Sequence, residues 1–391
     1  MSLAPVEEKM WEKSPSKSRA KMSDVEINEK YESGEKRILT EINREKLPSF
    51  VEALLKNPKY MNLQPFYQRR ARWDIKMQSR LIESFIINIP VPPIILYEID
   101  YNTYEVMDGQ QRITAIRDFY TNKFALTGLE LWPELNRHKY EQLPAKIRSG
   151  LDRRSISSIV IIRESTFDPE EALFLKQKTF ERLNTGGVDL SQQEVRHCLY
   201  YGKFDLLLLE LSRYSIFAEA WGIPTDDNNS DLSTNTLYKK MEDAELVLRF
   251  FALRNVEHFR NGMKGFLDLY MMKSLEFSEQ DIKFLKELFL QTINLAHQIY
   301  EENLFKPFVP ESRTWHKDSH KAYYDAVMVG FSRHLHEAEI LIARKSRVIE
   351  ETKKLFEKKE SRLLTGEGRT KADIQDRIRI FDEMLSQVIE E

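Results

Sequence analysis

The sequence predicts an α+β protein in which an α/β amino-terminal domain is followed by an all-helical carboxyl-terminal domain. Three observations carry that expectation. The proline- and turn-bounded apolar runs that read as strands all fall before about residue 202, nearly everything after Phe204 has helical periodicity, and 391 residues exceed what one hydrophobic core usually supports. The expected division is a charged arm over 1–38, flexible or packed from outside, an α/β domain over 39–202 and a helical domain over 203–391.

Element by element, Ser49-Phe50-Val51-Glu52 has the spacing of a capping box and predicts a short helix through Leu55. Met77, Leu81 and Phe85, with Ile82 and Ile86, give adjoining apolar stripes and predict a helix over Lys76 to Asn88. Pro90, Pro92 and Pro93 then enforce extended backbone into a strand at Ile94 to Tyr97. Asp100-Tyr101-Asn102 is turn material, so Thr103 to Met107 reads as the returning strand of a hairpin. Asp108-Gly109 stops that strand, and Ile113, Ile116, Phe119 and Tyr120 open a helix from Gln110. Ile156 to Ile162 supplies a further strand.

Asp168, Pro169 and Glu171 predict a helix running to about Leu183, which Asn184-Thr185-Gly186-Gly187 breaks. Ser191 and Glu194 form another capping box for a helix through about Tyr201. Beyond it, helices are expected over Leu206–Leu211, Ala244–Phe251, Ile282–Ile299, Tyr323–His334, Ala338–Lys354 and Ala372–Ile389, with a polar break at Asp226 to Ser233. No internal repeat is visible.

Composition excludes several classes of function. Apolar residues at 41% rule out a wholly disordered chain, and 59 Lys plus Arg against 62 Asp plus Glu give a net charge of -3, so there is no global basic field and any nucleic-acid site has to be local. The single cysteine, Cys198, allows no internal disulfide and no Cys/His zinc grid, which fits a reducing cytoplasm. No signal peptide or membrane-length apolar run is present, so no membrane partner is expected. His316 and His320 lack the glutamate of a zinc-protease motif and read as surface histidines, while Cys198 reads as core. Neither a GxxxxGK[ST] phosphate loop nor a nuclease metal signature occurs.

Three segments carry possible chemistry. In Asp108-Gly109-Gln110-Gln111-Arg112, unsatisfied N–H groups at a helix start and an arginine in the first turn suit a phosphate; Gln110 and Gln111 can grip oxygens or a water, and Asp108 can hold a metal ion. The alternative is an ordinary Asp-Gly turn followed by helix surface. In the second segment, Gly186 and Gly187 let backbone approach a ligand, and Arg182, Asn184, Thr185 and Arg196 supply donors, although Gly186 also suits a helix end and Glu194 a cap. The third is Gln68-Arg69-Arg70-Ala71-Arg72-Trp73 after Tyr67, with Lys76 and Arg80 beyond it and Lys146, Arg148, Arg153 and Arg154 as a possible extension. Its arginines and Trp73 are either DNA or phosphate contacts or a solvated helix entry with Trp73 in the core.

Taken in order, Gln68-Arg69 with Trp73, Leu81 to Phe85 leading to Ile89-Pro90-Val91-Pro92-Pro93, the Asp108 to Arg112 block, Arg182 to Gly187 and Leu190-Ser191 to Arg196 resemble the ParB/sulfiredoxin-like domain at the amino terminus of GmrSD-type modification-dependent restriction endonucleases. The resemblance spans about residues 45 to 200. It implies a ParB/sulfiredoxin-like fold in which the DGQQR block binds an NTP with Mg²⁺ and supports its hydrolysis, coupled to recognition of modified phage DNA. In such systems a separate HNH nuclease domain or subunit cuts, and the helical region here shows none of the HNH-family residues. Carried onto this sequence, Arg112 contacts a phosphate, Gln110 and Gln111 position phosphate or water, Asp108 holds Mg²⁺ or fixes the turn, Gly109 belongs to the nucleotide site, and Arg182 and Asn184 close it. A nucleotide-switched, non-catalytic DNA-binding or docking module is the other function consistent with it.

Overall fold

The computed structural model describes residues 5–11, 23–26, 28, 40–57, 60–62, 73–100, 102–162, 179, 191–226, 229–368 and 370–391. It is an α+β protein with a small sheet and a helical carboxyl-terminal region. By its internal contacts the chain divides into two compact units, Met1–Lys17 together with Ser191–Glu391, and Ser18–Leu190. The sequence places the second boundary after residue 202 and reads 1–38 as a charged arm, flexible or packed from outside; Pro5–Trp11 is helical and belongs to the helical unit.

In the α/β unit the described elements run β1 (Thr40–Lys46), α2 (Leu47–Lys56), β2 (Met61–Asn62), α3 (Ile75–Ile86), β3 (Ile94–Asp100), β4 (Thr103–Asp108), α4 (Gln110–Tyr120), α5 (Ala145–Asp152) and β5 (Ser155–Ile161), with α1 (Pro5–Trp11) preceding them in the chain. The strands form one sheet in the order β1-β5-β3-β4-β2. The β3–β4 hairpin expected from the Asp100 to Asn102 turn is present, with Glu98 opposite Tyr104 and Asp100 opposite Thr103. Asn102 takes the positive φ of 53° that asparagine tolerates. β5 lies parallel to β3 and antiparallel to β1. Ile94, Leu96, Val106, Ile113, Ile116, Phe119, Ile82 and Phe50 are all buried in one core, so the hairpin is clamped to α3 and α4 from its apolar side.

Two helix starts differ from their sequence signals. Ser49 is not a cap: α2 begins at Leu47, because Pro48 is favoured in a first turn and the Leu47 N–H bonds the Arg154 carbonyl at 2.9 Å. Asp74 caps α3 instead, its carboxylate accepting the Met77 N–H at 2.7 Å. That helix ends at Ile86 rather than Asn88, where Asn88 turns to φ 63° and leads toward Pro90. Met77, expected on the apolar stripe, is exposed. The predicted helix from Asp168 to Leu183 lies outside the described residues.

The helical unit continues with α6 (Gln192–Leu199), α7 (Lys203–Ser212), α8 (Ser215–Ala220), α9 (Ser230–Thr234), α10 (Thr236–Lys239), α11 (Glu242–Arg254), α12 (Gly262–Lys273), α13 (Glu279–Tyr300), a short β6–β7 ribbon (Phe308–Val309, Thr314–Trp315), α14 (Lys321–Arg333), α15 (Ala338–Ala343), α16 (Lys345–Glu357), α17 (Ser361–Thr365) and α18 (Lys371–Glu390). The Ser191/Glu194 capping box forms as its spacing predicts. The helix expected over Ala338–Lys354 is broken at Arg344, whose Nη1 instead donates to the Val388 and Ile389 carbonyls at 2.6 and 2.9 Å and so caps the end of α18.

Buried charge organises this unit. Asp325 on α14 is fully buried and takes both forks of Arg249 from α11, with the Nε bond at 3.0 Å, together with Arg377 Nη1 from α18 at 3.1 Å. At the unit's edge, Asp382 accepts from Arg333 at 2.8 Å and meets His334 Nε2 at 3.0 Å. Burial opposes its charge, but His334 and Arg333 outweigh it and hold the carboxyl below its ordinary value. A carboxyl lowered on folding contributes stability that is complete above its unfolded value and lost as pH falls through the folded one. Asp382→Asn therefore costs about 1 kcal/mol at pH 7, and the gap between denaturant melts of variant and wild type starts to close below about pH 4 and vanishes only once pH passes below the lowered folded value; a gap that persists at the lowest pH contradicts this assignment.

Candidate functional site: a helix start at the end of the hairpin

Strand β4 runs directly into α4 through Gly109, which adopts φ 96° and ψ 9°. Only glycine reaches that conformation without strain, and the space around it is closed as well. A Cβ there stands 2.6 Å from Ile94 Cγ2 and 3.0 Å from Arg112 Nη2. Gly109→Ala is accordingly destabilising by about 1–2 kcal/mol from the backbone alone, with displacement of Arg112 in addition. A glycine that merely loosens the unfolded chain predicts the opposite sign, a gain of about 0.4–1 kcal/mol, and thermal melts separate the two.

Gly109, the residue at the cap of α4, has no side chain to cap it, and no side chain of the described residues does so. The first-turn N–H groups of Gln110, Gln111 and Arg112 have no intrahelical partner by helix geometry, and the helix dipole adds partial positive charge where they converge. Asp108, one residue before the cap, does not serve them. Its Oδ2 instead accepts from Arg112 Nη2 at 2.6 Å, and the same nitrogen reaches the Pro93 carbonyl at 3.3 Å. The pair is partly open to solvent, the Arg112 side chain at 15% and Asp108 at 33%. Arg112 Nε is buried with no hydrogen-bond partner among the described residues. Asp108 and the Pro93 carbonyl thus hold the Arg112 guanidinium beside the junction between β4 and α4.

Gln111 faces the segment that enters α3. Its Oε1 accepts the Trp73 N–H at 3.3 Å, and Gln78 Nε2 donates to the Trp73 carbonyl at 3.0 Å. Trp73 itself is partly buried against the core, which is the packing role anticipated for it as the alternative to stacking. Gln68, Arg69, Arg70 and Arg72 lie outside the described residues. So do Arg182, Asn184, Thr185, Gly186 and Gly187. Gln110 is half-buried and makes no hydrogen bond through its side chain to any described residue.

Arg196 is a correction. Expected among the nucleotide contacts, it is 1% exposed within the helical unit. Its Nε donates to Asp268 at 2.7 Å, Nη1 to Glu245 at 2.7 Å and to Gln193 at 3.2 Å, and Nη2 to the Lys264 carbonyl at 3.3 Å, so its donors are spent on joining α6 to α11 and α12. The supposed extension of the basic patch is reduced similarly. Arg154 donates to the Phe85 and Ile86 carbonyls at 3.0 and 3.3 Å and caps α3, while Arg80 is paired with Glu130.

Asp108 was also the expected Mg²⁺ ligand. One of its oxygens is committed to Arg112, and no cluster of three or more His, Cys, Asp or Glu able to hold a metal exists among the described residues. The described residues therefore group no metal-ligand set around Asp108, and its bond to Arg112 is what the other expected role, fixing the turn, requires. His316 and His320 pack ring to ring at 4.6 Å, and the Asp318 N–H bonds His316 Nδ1 at 3.0 Å.

Sequence reasoning missed Glu83. It is 5% exposed and its carboxylate accepts the Glu130, Leu131 and Trp132 N–H groups at 3.2, 2.8 and 2.8 Å, pinning the loop after α4 to α3. The signal was available: Ser79, Glu83 and Ile86 follow one helical face, and a carboxylate on a buried face needs donors. It also missed the buried His197–Asp205 contact at 2.7 Å, where burial pushes the Asp205 carboxyl up.

No helix among the described residues is long and apolar enough to cross a membrane. No curated protein and no solved structure matches the chain. Residues 51–201, which carry the hairpin, the Gly109 junction and Arg112, match the family model described as the GmrSD restriction endonuclease, N-terminal domain, and this match supports a GmrSD-type amino-terminal domain over that part of the chain.

Proposed function

We propose that the α/β unit binds the phosphates of a nucleoside triphosphate at the start of α4 and couples that binding, with hydrolysis, to sensing of modified DNA in a restriction system whose cutting is done by a separate nuclease. The observation that carries the reading is the α4 start, without a side-chain cap among the described residues, packed on Ile94 at Gly109, with Arg112 held beside it by Asp108. Convergent N–H groups, a helix dipole and a guanidinium fork are the donors a polyphosphate requires. The match of residues 51–201 to a restriction-endonuclease domain supports the biological setting and the expectation of DNA as partner.

In this scheme Asp108 holds Arg112 in register, the Gln110 and Gln111 N–H groups and the Arg112 fork neutralise phosphate charge, and the Gln110 amide orients a water. Phosphoryl transfer asks mainly for positioning and charge neutralisation, which these groups supply. Magnesium enters with the nucleotide, since phosphate oxygens and waters provide most of its ligands.

A nucleotide-gated switch with slow turnover is the second reading. The observation favouring it is that Asp108, the carboxylate of the motif, is occupied by Arg112 and so is a poor general base. Calorimetric titration with ATP, GTP, CTP and UTP tests both: saturable binding to at least one supports the site, and no binding of any in the presence of Mg²⁺ removes it.

A further inference from the structure

The helical unit holds a buried carboxylate that the nucleotide site does not use. Glu7, on the seven-residue helix α1, is 0% exposed. Its Oε1 accepts from Asn255 Nδ2 and from the Tyr270 hydroxyl, each at 2.9 Å, and Arg254 Nη2 stands 3.5 Å from Oε2. Asn255 Oδ1 in turn accepts the Trp11 indole N–H at 2.9 Å. One amide therefore reads two residues four apart, one with its nitrogen and one with its oxygen. The Trp11 ring stacks on His258 at 4.6 Å and on Phe266 at 6.0 Å, with the Lys273 ammonium 5.8 Å from its centroid.

These receptor groups are held by contacts that do not involve α1. Asn255 Nδ2 also donates to the Phe251 carbonyl at 2.9 Å, which fixes which way the amide faces, and Arg254 Nη1 donates to Ser332 at 3.0 Å. Tyr270 packs against Phe204 and Phe277 at the end of α12. Burial and the neighbouring Glu7 push its phenol well above its ordinary value, so it stays a donor. By contrast, a seven-residue helix is too short to hold its own conformation in water. Its shape comes from the surface it occupies.

We propose that Arg254, Asn255, His258, Phe266 and Tyr270 form a receptor for a helical segment carrying glutamate and tryptophan four residues apart, and that α1 of this chain is its exchangeable ligand. The receptor is built to meet a carboxylate and an indole together, which a surface evolved only to exclude water does not require.

The test uses the full chain carrying Glu7→Ala and Trp11→Ala, which leaves the receptor without its own ligand, and a fluorescein-labelled peptide spanning Leu3 to Lys13. Expected is saturable binding at least tenfold tighter than to the wild-type chain, whose receptor is filled in cis, and loss of binding by a peptide with Glu7→Gln. Equal binding to both chains, or none to a variant shown folded by circular dichroism, overturns the proposal. Should the double variant fail to fold, hydrogen exchange on the wild type decides. Exchange of α1 amides while α11 and α12 stay protected supports an exchangeable ligand, and exchange of all three only together overturns it.

Discussion

The proposed phosphate site predicts that Arg112→Ala weakens nucleotide binding at least a hundredfold, about 2.8 kcal/mol, while leaving the melting temperature of the nucleotide-free protein within a few degrees. The size follows from position. Arg112 is held beside the α4 start by Asp108 at 2.6 Å and by the Pro93 carbonyl, so on the proposed reading it would meet a phosphate without first losing side-chain freedom. A charge-assisted fork to phosphate is among the stronger single contacts available. The fold is spared because the pair is partly exposed and the core beneath it, Ile94, Ile113 and Ile116, is untouched. Asp108→Asn provides the graded comparison: it loosens Arg112 without removing it, so affinity falls by a smaller factor. Titration of both variants measures this, and equal affinity of Arg112→Ala and wild type removes the motif from ligand binding.

The largest effect on stability falls at Asp325. Truncation to alanine removes the carboxylate that bonds both Arg249 and Arg377, leaving them in the interior where α11, α14 and α18 meet with only the charges of Glu245 and Asp373 nearby. Breaking a buried ion pair by removing one partner costs about 3–5 kcal/mol, so the helical unit melts roughly 10 °C lower. Arg377 keeps its bond to the Leu363 carbonyl at 2.7 Å, which limits collapse of the site around the lost carboxylate. Calorimetry checks this, and a change below about 1 kcal/mol would show that water replaces the carboxylate without penalty.

What was legible in the sequence followed local chemistry. Pro90 to Pro93, the Asp100 to Asn102 turn and the Asp108-Gly109 stop each act within a few residues, and the β3–β4 hairpin and the α4 start stand where those signals put them. Ser191 and Glu194 cap a helix because both partners lie within one turn. Ser49 has the same spacing and fails, since Pro48 beside it starts the helix earlier. Arg196 looked available only because its partners, Glu245 and Asp268, lie 49 and 72 residues away. The docking of Glu7 onto Asn255 spans 248 residues, and no local pattern around an acidic, seven-residue helix announces it. The break at Arg344 is of the same kind, set by the end of α18 rather than by the periodicity of its own segment.

The central claim is that the α4 start is a nucleotide phosphate site whose turnover responds to DNA. Phosphate release from ATP, GTP, CTP and UTP with Mg²⁺, with and without plain and modified DNA, tests it most directly when wild type and Arg112→Ala are run side by side. The account predicts release that modified DNA stimulates and that the variant lacks. Release that is unaffected by Arg112→Ala, or the absence of both release and nucleotide-dependent stabilisation in the wild type, contradicts it.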